Sequence, residues 1–374
     1  MATRPFFSIL LPTKNRAHLV GYAIRSVLNQ DFGDFELIIA DNDDTDVTSK
    51  VVSQFDDERI RYVRTGGLDM VQNWNAALSE ARGEYVLLLE DKLIFYPRAF
   101  TLLYEFILKR NPRVIVWRAD IVNDSEKYYR KIVPFKDEIR TTNDILWIFL
   151  HKRMDAWEML PRGLCTALHQ SVVTDAKRRF SGPFYDYLSP DLVSALKVMK
   201  VVEEIHYFNV NLNCVISTSV SNGMRIQTRK DDGKYFGGDA LSRLKLSVPV
   251  KSRFIVANLI AHDIEVTLRE RWKGNVESRP YYETYKRAYY ASLMAEMGVT
   301  IGTAGPCYKW SEVKEILKCN GMDLIPYMEF LCNAIIFLHP LRRIAKRLLI
   351  GNSNAYNGRY YENYKALMDD LIAD

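Results

Sequence analysis

Four β-prone runs, Phe6 to Leu11, Phe35 to Ala40, Ile60 to Arg64 and Tyr85 to Leu89, alternate with stretches whose apolar residues recur at helical spacing. Between the first two, Leu19, Val20, Ala23, Ile24 and Val27 form one stripe of a helix predicted over Ala17 to Gln30. A second helix is predicted over roughly Thr45 to Phe55, and a third from about Met70 to Ala81, after the break at Gly66-Gly67. Strands alternating with helices imply a parallel sheet with right-handed crossovers. Such strands are covered on both faces, which fits the nearly continuous apolar character of FFSILL and FELIIA. The N-terminal half is therefore an α/β unit. Pro12 is expected to stop its first strand.

Where the fourth run ends, Glu90-Asp91-Lys92 follows abruptly. Ligands in α/β proteins sit beyond the carboxyl ends of the strands, so polar residues there are placed for chemistry. Taken alone, the triplet reads equally well as the opening of a solvated turn. Asp41-Asn42-Asp43-Asp44-Thr45-Asp46 ends the second run in the same manner.

Beyond Pro97 a helix is predicted over Arg98 to Lys109 and a strand over Val114 to Arg118, then a more irregular stretch to about Pro161. A short strand at Thr166 to His169 precedes a helix over Ser171 to Arg179. Ser189 and Pro190 suit the N-cap and first turn of a helix running to about Met199. Val201 to Val215 reads mostly as strand, and Ser217 to Gly223 as a polar loop. After the charged, glycine-rich Arg225 to Gly238 almost everything has helical period. Residues 1–225 are accordingly assigned to one unit and 226–374 to a mainly helical region.

With 374 residues and a net charge of +5, the chain is long enough for two units and too weakly basic to argue for nucleic acid. That charge leaves room for phosphates or an anionic surface. The five cysteines are widely spaced with no C-x-x-C pair, which argues against a disulfide framework or zinc site and fits a reducing cytoplasm. The N-terminus lacks a signal peptide's apolar core, and no run reaches the ~20 apolar residues of a membrane span. In Phe330 to Ile350, Pro340 interrupts the apolar pattern, and Arg342, Arg343, Lys346 and Arg347 lie off the face of Leu341, Ile344 and Leu348. Such a helix suits either an anionic membrane surface or packing within the protein or on a second copy. The Tyr281-to-Tyr290 segment suits core or subunit contact, or stacking on sugars.

Several pieces in order, SILLPTKNR at Ser8 to Arg16, AIRSVLNQ at Ala23 to Gln30, ELIIADNDDTD at Glu36 to Asp46, MVQNWNAAL at Met70 to Leu78 and GEYV at Gly83 to Val86, resemble the family 2 glycosyltransferases. That family has the GT-A fold and uses nucleotide-activated sugars. The resemblance implies a mixed, mainly parallel nucleotide-binding sheet flanked by helices. It also implies a bacterial-type cytoplasmic enzyme, free or peripheral on the inner membrane face, building a surface or extracellular glycan by inversion.

By the same resemblance, Asp41 accepts a hydrogen bond from the base, a role suited to the imide of a UDP-sugar because a carboxylate only accepts. Pro12, Thr13, Asn15 and Arg16 match the turn wrapping the nucleotide, with Arg16 reaching phosphate or Asp41. Arg64 and Gly66 match the loop beneath base and ribose, and Asn73 faces the nucleotide while Trp74 belongs to the core. Asp191 matches the catalytic base that takes the proton of a glycan or lipid-linked acceptor's hydroxyl; Asp186 and His169 are alternatives.

One departure falls on Glu90, Asp91 and Lys92. Relatives carry Asp-x-Asp there, whose last carboxylate ligates Mn²⁺ or Mg²⁺ on the diphosphate. Here that place holds Lys92 or Leu93, leaving Asp91 as the remaining metal candidate. A hard cation wants oxygen ligands, and an ammonium repels it. Two outcomes stay open: a metal-independent or weakly metal-dependent transferase in which Lys92 faces the diphosphate, helped by Arg225, Arg229 and Lys230, or a catalytically degenerate sugar-nucleotide binding or scaffold subunit.

Overall fold

The computed structural model describes residues 4–123, 128–151, 157–217, 256–269, 285, 288, 289, 292, 358–360 and 364–373. The chain divides into two compact units, one of residues 1–146, 157–218 and 358–374, the other of 147–156 and 219–357.

In the first unit the opening elements are β1 (Phe7–Thr13), α1 (Ala17–Leu28), β2 (Phe35–Asp41), α2 (Val47–Val52), β3 (Ile60–Arg64), α3 (Met70–Ser79) and β4 (Tyr85–Leu88). Next come β5 (Leu93–Phe95), α4 (Ala99–Arg110), β6 (Val114–Val116), β7 (Asp120–Asn123), β8 (Tyr128–Arg130), β9 (Glu138–Thr141) and α5 (Thr142–His151), whose end lies in the second unit. A 3-10 turn at Trp157–Met159 leads to β10 (Thr166–His169), α6 (Gln170–Phe180), α7 (Pro190–Val198), β11 (Glu204–Tyr207) and β12 (Asn213–Ser217). In the second unit α8 (Val256–Arg269) is described; β13 (Gly358–Tyr360) and α9 (Tyr364–Ala373) return to the first.

An eight-stranded sheet runs β3-β2-β1-β4-β10-β6-β11-β9, and a five-stranded one β13-β8-β7-β12-β5. β3, β2, β1 and β4 are mutually parallel, and only β10 and β9 run against the large sheet's direction. This is the mixed, mainly parallel α/β arrangement that the resemblance implies.

Alternation along β1 divides its residues between two faces. Phe7, Ile9 and Leu11 join Val20, Ala23, Ile24 and Val27 of α1 and Phe100, Leu103 and Ile107 of α4 in one core, while α3 packs on β1 and β2. The buried polar pair Ser8 and Glu36 is satisfied locally. The Ser8 hydroxyl donates to Glu36 at 2.6 Å and accepts from Gly83 N at 2.7 Å.

Pro12 does not stop β1, which continues to Thr13. The β4 ladder ends at Leu10, and the Pro12 nitrogen lies on that vacated side, so the missing N–H breaks no bond. The stretch read as irregular to Pro161 instead holds β7, β8, β9 and α5, and the single strand predicted over Val201 to Val215 is two, β11 and β12. The last strand and helix are tied in by pairing of β13 with β8 and by an Arg25–Asp369 contact at 3.4 Å.

The chain changes sheets between β4 and β5, and Glu90-Asp91-Lys92 is that link. Leu93 N donates to Glu90 O at 2.8 Å, and Ile216 N to Lys92 O at 3.0 Å. Asp91 is 2% exposed and its neighbours are half-buried, so the solvated-turn reading does not hold.

Candidate active site

Crossovers from β1 lead outward to β2 and β3, and the chain then returns past them to β4, so the sheet's switch point lies between β1 and β4. Thr13 ends β1 there, and its hydroxyl donates to Asp91 Oδ2 at 2.9 Å. Arg16, at the N-terminus of α1, holds Asp91 Oδ1 at 2.9 Å. It does not bridge Asp41, whose carboxylate is occupied elsewhere. Asn15 takes a left-handed backbone (φ 57°) and its amide donates to Asp43, fixing the turn between them.

Asp41 is fully buried at the end of β2 and accepts from the Tyr62 hydroxyl at 2.6 Å and from Asp43 N at 2.9 Å. Burial, reinforced by this carboxylate, pushes the Tyr62 phenol up to about 12. Thr65 N donates to the Asp41 carbonyl at 2.8 Å, docking the loop in which Gly66 and Gly67 take positive φ. Open space where a Cβ would stand at either glycine makes backbone conformation, not close packing, the reason for glycine. Arg64 pairs with Asp46 at the surface.

Asn73 is buried, but both ends of its amide are taken by the protein. Nδ2 donates to Ala40 O at 3.1 Å, and Oδ1 accepts from Thr65 Oγ1 at 2.7 Å. Its role in this structure is to brace the Asp41 and Thr65 segments. Trp74 is in the core, edge-on to Tyr185.

At the link, Lys92 Nζ lies 2.8 Å from Glu90 Oε2. Burial pushes the Glu90 carboxyl up, but Lys92, Arg16 and Arg162 together outweigh it and leave it below its ordinary value. For Asp91 burial wins over Arg16 and Thr13, and its carboxyl is raised.

Asp191 stands in the first turn of α7, after Pro190 at the first helical position. Its Oδ2 accepts from Arg162 Nη1 at 2.9 Å. Buried Tyr185 feels the Asp191 charge, though burial is the larger cause of its raised phenol. Asp186 is bound to buried Lys197 at 3.0 Å. His169 pairs in register with Tyr85 at the start of β4, and its imidazole caps α6. That is about five residues, or ~17 Å, of strand from Glu90. His169 is therefore at the wrong end of the sheet to serve as the base. Arg225, Arg229, Lys230, Ser217 to Gly223 beyond Ser217, and the basic stretch of 330–350 lie outside the described residues.

Arg162 and Tyr62 are the participants that sequence reasoning missed. Arg162 lies in a stretch with no period, between Pro161 and a left-handed Gly163 (φ 85°). Tyr62 reads as an ordinary strand tyrosine.

As a ligand set for Mn²⁺ or Mg²⁺ these residues fit poorly. Both Asp91 oxygens are engaged by Thr13 and Arg16, and Glu90 is paired with an ammonium. Among the described residues no group of three His, Cys, Asp or Glu is arranged to hold a metal ion. Hard divalent ions need several oxygens free to coordinate.

Residues 8–172 match the family model described as Glycosyl transferase family 2. The GalNAc(5)-diNAcBac-PP-undecaprenol beta-1,3-glucosyltransferase of Campylobacter jejuni is 41% identical over 91 residues, 23% of this chain and 29% of that protein. The UDP-Glc:alpha-D-GlcNAc-diphosphoundecaprenol beta-1,3-glucosyltransferase WfgD of Escherichia coli is 27% identical over 130 residues, 34% of this chain and 51% of that protein. The chain thus spans no more than about half the length of these relatives. S. aureus TarS 1-349 in complex with UDP-GlcNAc superposes with a TM-score of 0.46 at 15% identity, covering 78% of this chain and 81% of that one. That superposition is too loose to assign anything to this chain. The family match spans the strand ends of β1 to β4 together with Arg162, and over residues 8–172 the chain is similar to the family 2 glycosyltransferases.

Proposed function

We propose that the chain is an inverting glycosyltransferase that moves a sugar from a nucleoside-diphosphate sugar to a hydroxyl of a glycan or lipid-linked acceptor in bacterial surface or extracellular glycan synthesis. The observation that carries this reading is the convergence of Thr13, Asp41 and the Glu90-Asp91-Lys92 link on the carboxyl edge at the switch point. Asp191 belongs to the same charge cluster through Arg162. The name of WfgD supports a UDP-sugar donor, and both relatives' names support an acceptor carried on undecaprenyl diphosphate.

In this reading the turn of Pro12, Thr13, Asn15 and Arg16, with Asp41, Arg64, Gly66 and Asn73, receives the nucleotide, and Glu90, Asp91 and Lys92 lie at the diphosphate and donor sugar. Asp191 takes the acceptor's proton as its oxygen attacks the anomeric carbon. The carbon–oxygen bond to the diphosphate breaks, and the nucleoside diphosphate leaves with the bonding pair.

Charge on that leaving group is met by Lys92 and Arg16 without a divalent ion. One unit pair at 4 Å is worth about 4 kcal/mol at an effective dielectric of 20, so two cations approach the pull of one divalent ion. Peripheral attachment to the cytoplasmic membrane face, where a lipid-linked acceptor is met, and any self-association are assigned to the region 226–374. Among the described residues no helix is long and apolar enough to cross a membrane.

The test is a transfer assay on UDP- and GDP-sugars with lipid-linked glycan acceptors, with and without Mn²⁺. Release of nucleoside diphosphate, lost in Asp191→Asn, supports the reading; pyrophosphate would point to nucleotidyl chemistry, and an absolute need for Mn²⁺ would overturn metal independence. A second reading, a degenerate binding or scaffold subunit, is favoured by the prior engagement of Asp41 and Asp91 by the protein's own groups. It predicts that Asp191→Asn leaves the biological activity intact.

A further inference from the structure

Three cations stand at the carboxyl edge, and each has a carboxylate partner: Arg16 with Asp91, Lys92 with Glu90, Arg162 with Asp191. Arg16 is held to a site that Thr13 also braces, and Lys92 to a neighbour two positions away. Arg162 differs. One of its partners is the candidate base, 29 residues further along, while its charge also acts on Glu90 at the diphosphate end. No other pair links those two ends of the cluster among the described residues.

The backbone beneath Arg162 is fixed. Arg162 N donates to Leu160 O at 2.8 Å, and Gly163 and Cys165 both take left-handed φ, 85° and 53°. A Cβ on Gly163 would lie 3.3 Å from Leu88 Cδ2, so this loop sits against the end of β4. Arg162 and Asp191 are each 24% exposed, so solvent screens their pair in part and exchanging it for another anion is less costly than for a fully buried pair. A guanidinium binds phosphate oxygens through the same forked donors that now serve Asp191.

Arg162 Nη1 lies 2.9 Å from Asp191 Oδ2 and so occupies the oxygen that an acceptor's hydroxyl would have to reach. Asp191 cannot serve well as a base while Arg162 holds it. We propose that Arg162 is a positioning residue shared between two partners: it holds Asp191 in the arrangement described and transfers to the donor's diphosphate when the nucleotide binds. The transfer adds a cation at the leaving group and frees the base only once a donor is present. This rests on the transferase reading above. Because coupling between two sites is reciprocal, whatever weakens the hold of Asp191 on Arg162 must strengthen diphosphate binding.

The experiment is a double-mutant cycle read by calorimetric titration of UDP and GDP alone, without sugar transfer. Arg162→Gln is expected to weaken binding about tenfold, the loss of one charge-assisted phosphate contact. Asp191→Asn is expected to tighten it about fivefold, the upper end for a partly exposed ion pair. In Arg162→Gln/Asp191→Asn the tightening should vanish. Arg162→Lys, which keeps the charge without the fork, should fall between wild type and Arg162→Gln and guards against a folding defect in the latter.

An unchanged or weaker affinity in Asp191→Asn overturns the proposal. So does tightening that survives in the double variant, because the effect would then be simple repulsion between Asp191 and phosphate. In both cases wild-type binding leaves the transferase reading standing. Failure of the wild type to bind any nucleoside diphosphate removes both.

Discussion

Replacing Gln30 by leucine tests how the site-bearing link is held. Gln30 is 8% exposed just beyond α1, and its Nε2 donates to Ser26 O at 2.8 Å and to Tyr96 O at 2.9 Å. Its Oε1 accepts from Phe100 N at 3.1 Å, in the first turn of α4. That helix has no cap of its own, since Arg98 at its N-cap is left-handed (φ 62°) and makes no side-chain cap bond. Gln30 therefore acts as a remote cap and ties α1 to the segment after β5.

Leucine keeps much of the shape and removes all three bonds. Tyr96 O retains Ala99 N at 3.2 Å, so the main loss is the stranded Phe100 amide. A buried unpaired donor costs about 1–3 kcal/mol and a lost cap about 0.5–2, two views of one deficit. A net loss of roughly 1–3 kcal/mol follows, a fall in melting temperature of roughly 2–12 °C for a unit of this size. Urea denaturation followed by far- and near-ultraviolet circular dichroism measures it. A midpoint giving a loss below about 0.5 kcal/mol at unchanged m-value would refute the capping argument.

Gly83→Ala should be among the most damaging single changes, because its Cβ would stand 2.5 Å from Ser8 N and 2.7 Å from Ser8 Oγ. A loss of about 3 kcal/mol or more is expected in the same denaturation assay, at the upper end for overpacking. Adding Ser8→Ala should not restore it, since the backbone nitrogen remains; recovery would show the clash to be with the hydroxyl alone. Asp91→Asn should lower sugar transfer yet stabilise the fold in a pH-dependent way. Burial raises the folded-state carboxyl above its ordinary 3.8, so the wild type loses stability as pH rises from that value through the folded one. The variant should match the wild type in acid, pull ahead across that window and stay ahead at neutral pH. A stability difference that does not vary with pH would sink this account.

The legible part of the fold was the part with period. FFSILL and FELIIA are buried on both faces, and the residues ending their strands, Thr13 and Asp41, stand at the carboxyl edge where parallel-sheet logic puts ligands. Strands of three or four residues carry too few positions to show alternation, so β7, β8 and β9 passed as irregular chain. The small sheet passed with them, and with it the fact that Glu90-Asp91-Lys92 joins two sheets. Burial of that triplet was illegible for a related reason: charged residues read as solvated until their partners are known. Arg16 and Thr13 come from 75 and 78 positions away. Asp191 is singled out by the family resemblance of its segment, but a lone arginine after Pro161 has no local pattern that would announce its pairing.

Those partners change what the site must do. Three carboxylates and three cations leave the edge near neutrality, so a diphosphate does not enter a field prepared for it. It must displace existing pairs, and each displaced carboxylate has to find another partner or accept solvent. The base end is different, because Asp41, Tyr62, Asn73 and Thr65 already form a closed hydrogen-bond set. Under the proposed transferase reading, a rigid base pocket joined to an exchangeable diphosphate cluster would divide the work between them. Tightness would come from groups that need not move, while the groups that must re-pair would be those next to the reacting bond. The altered metal motif is coherent with that proposal: Lys92 and Arg16 would meet charge at the leaving group, and the departure of Arg162 from Asp191 would also prepare the acceptor's oxygen for attack.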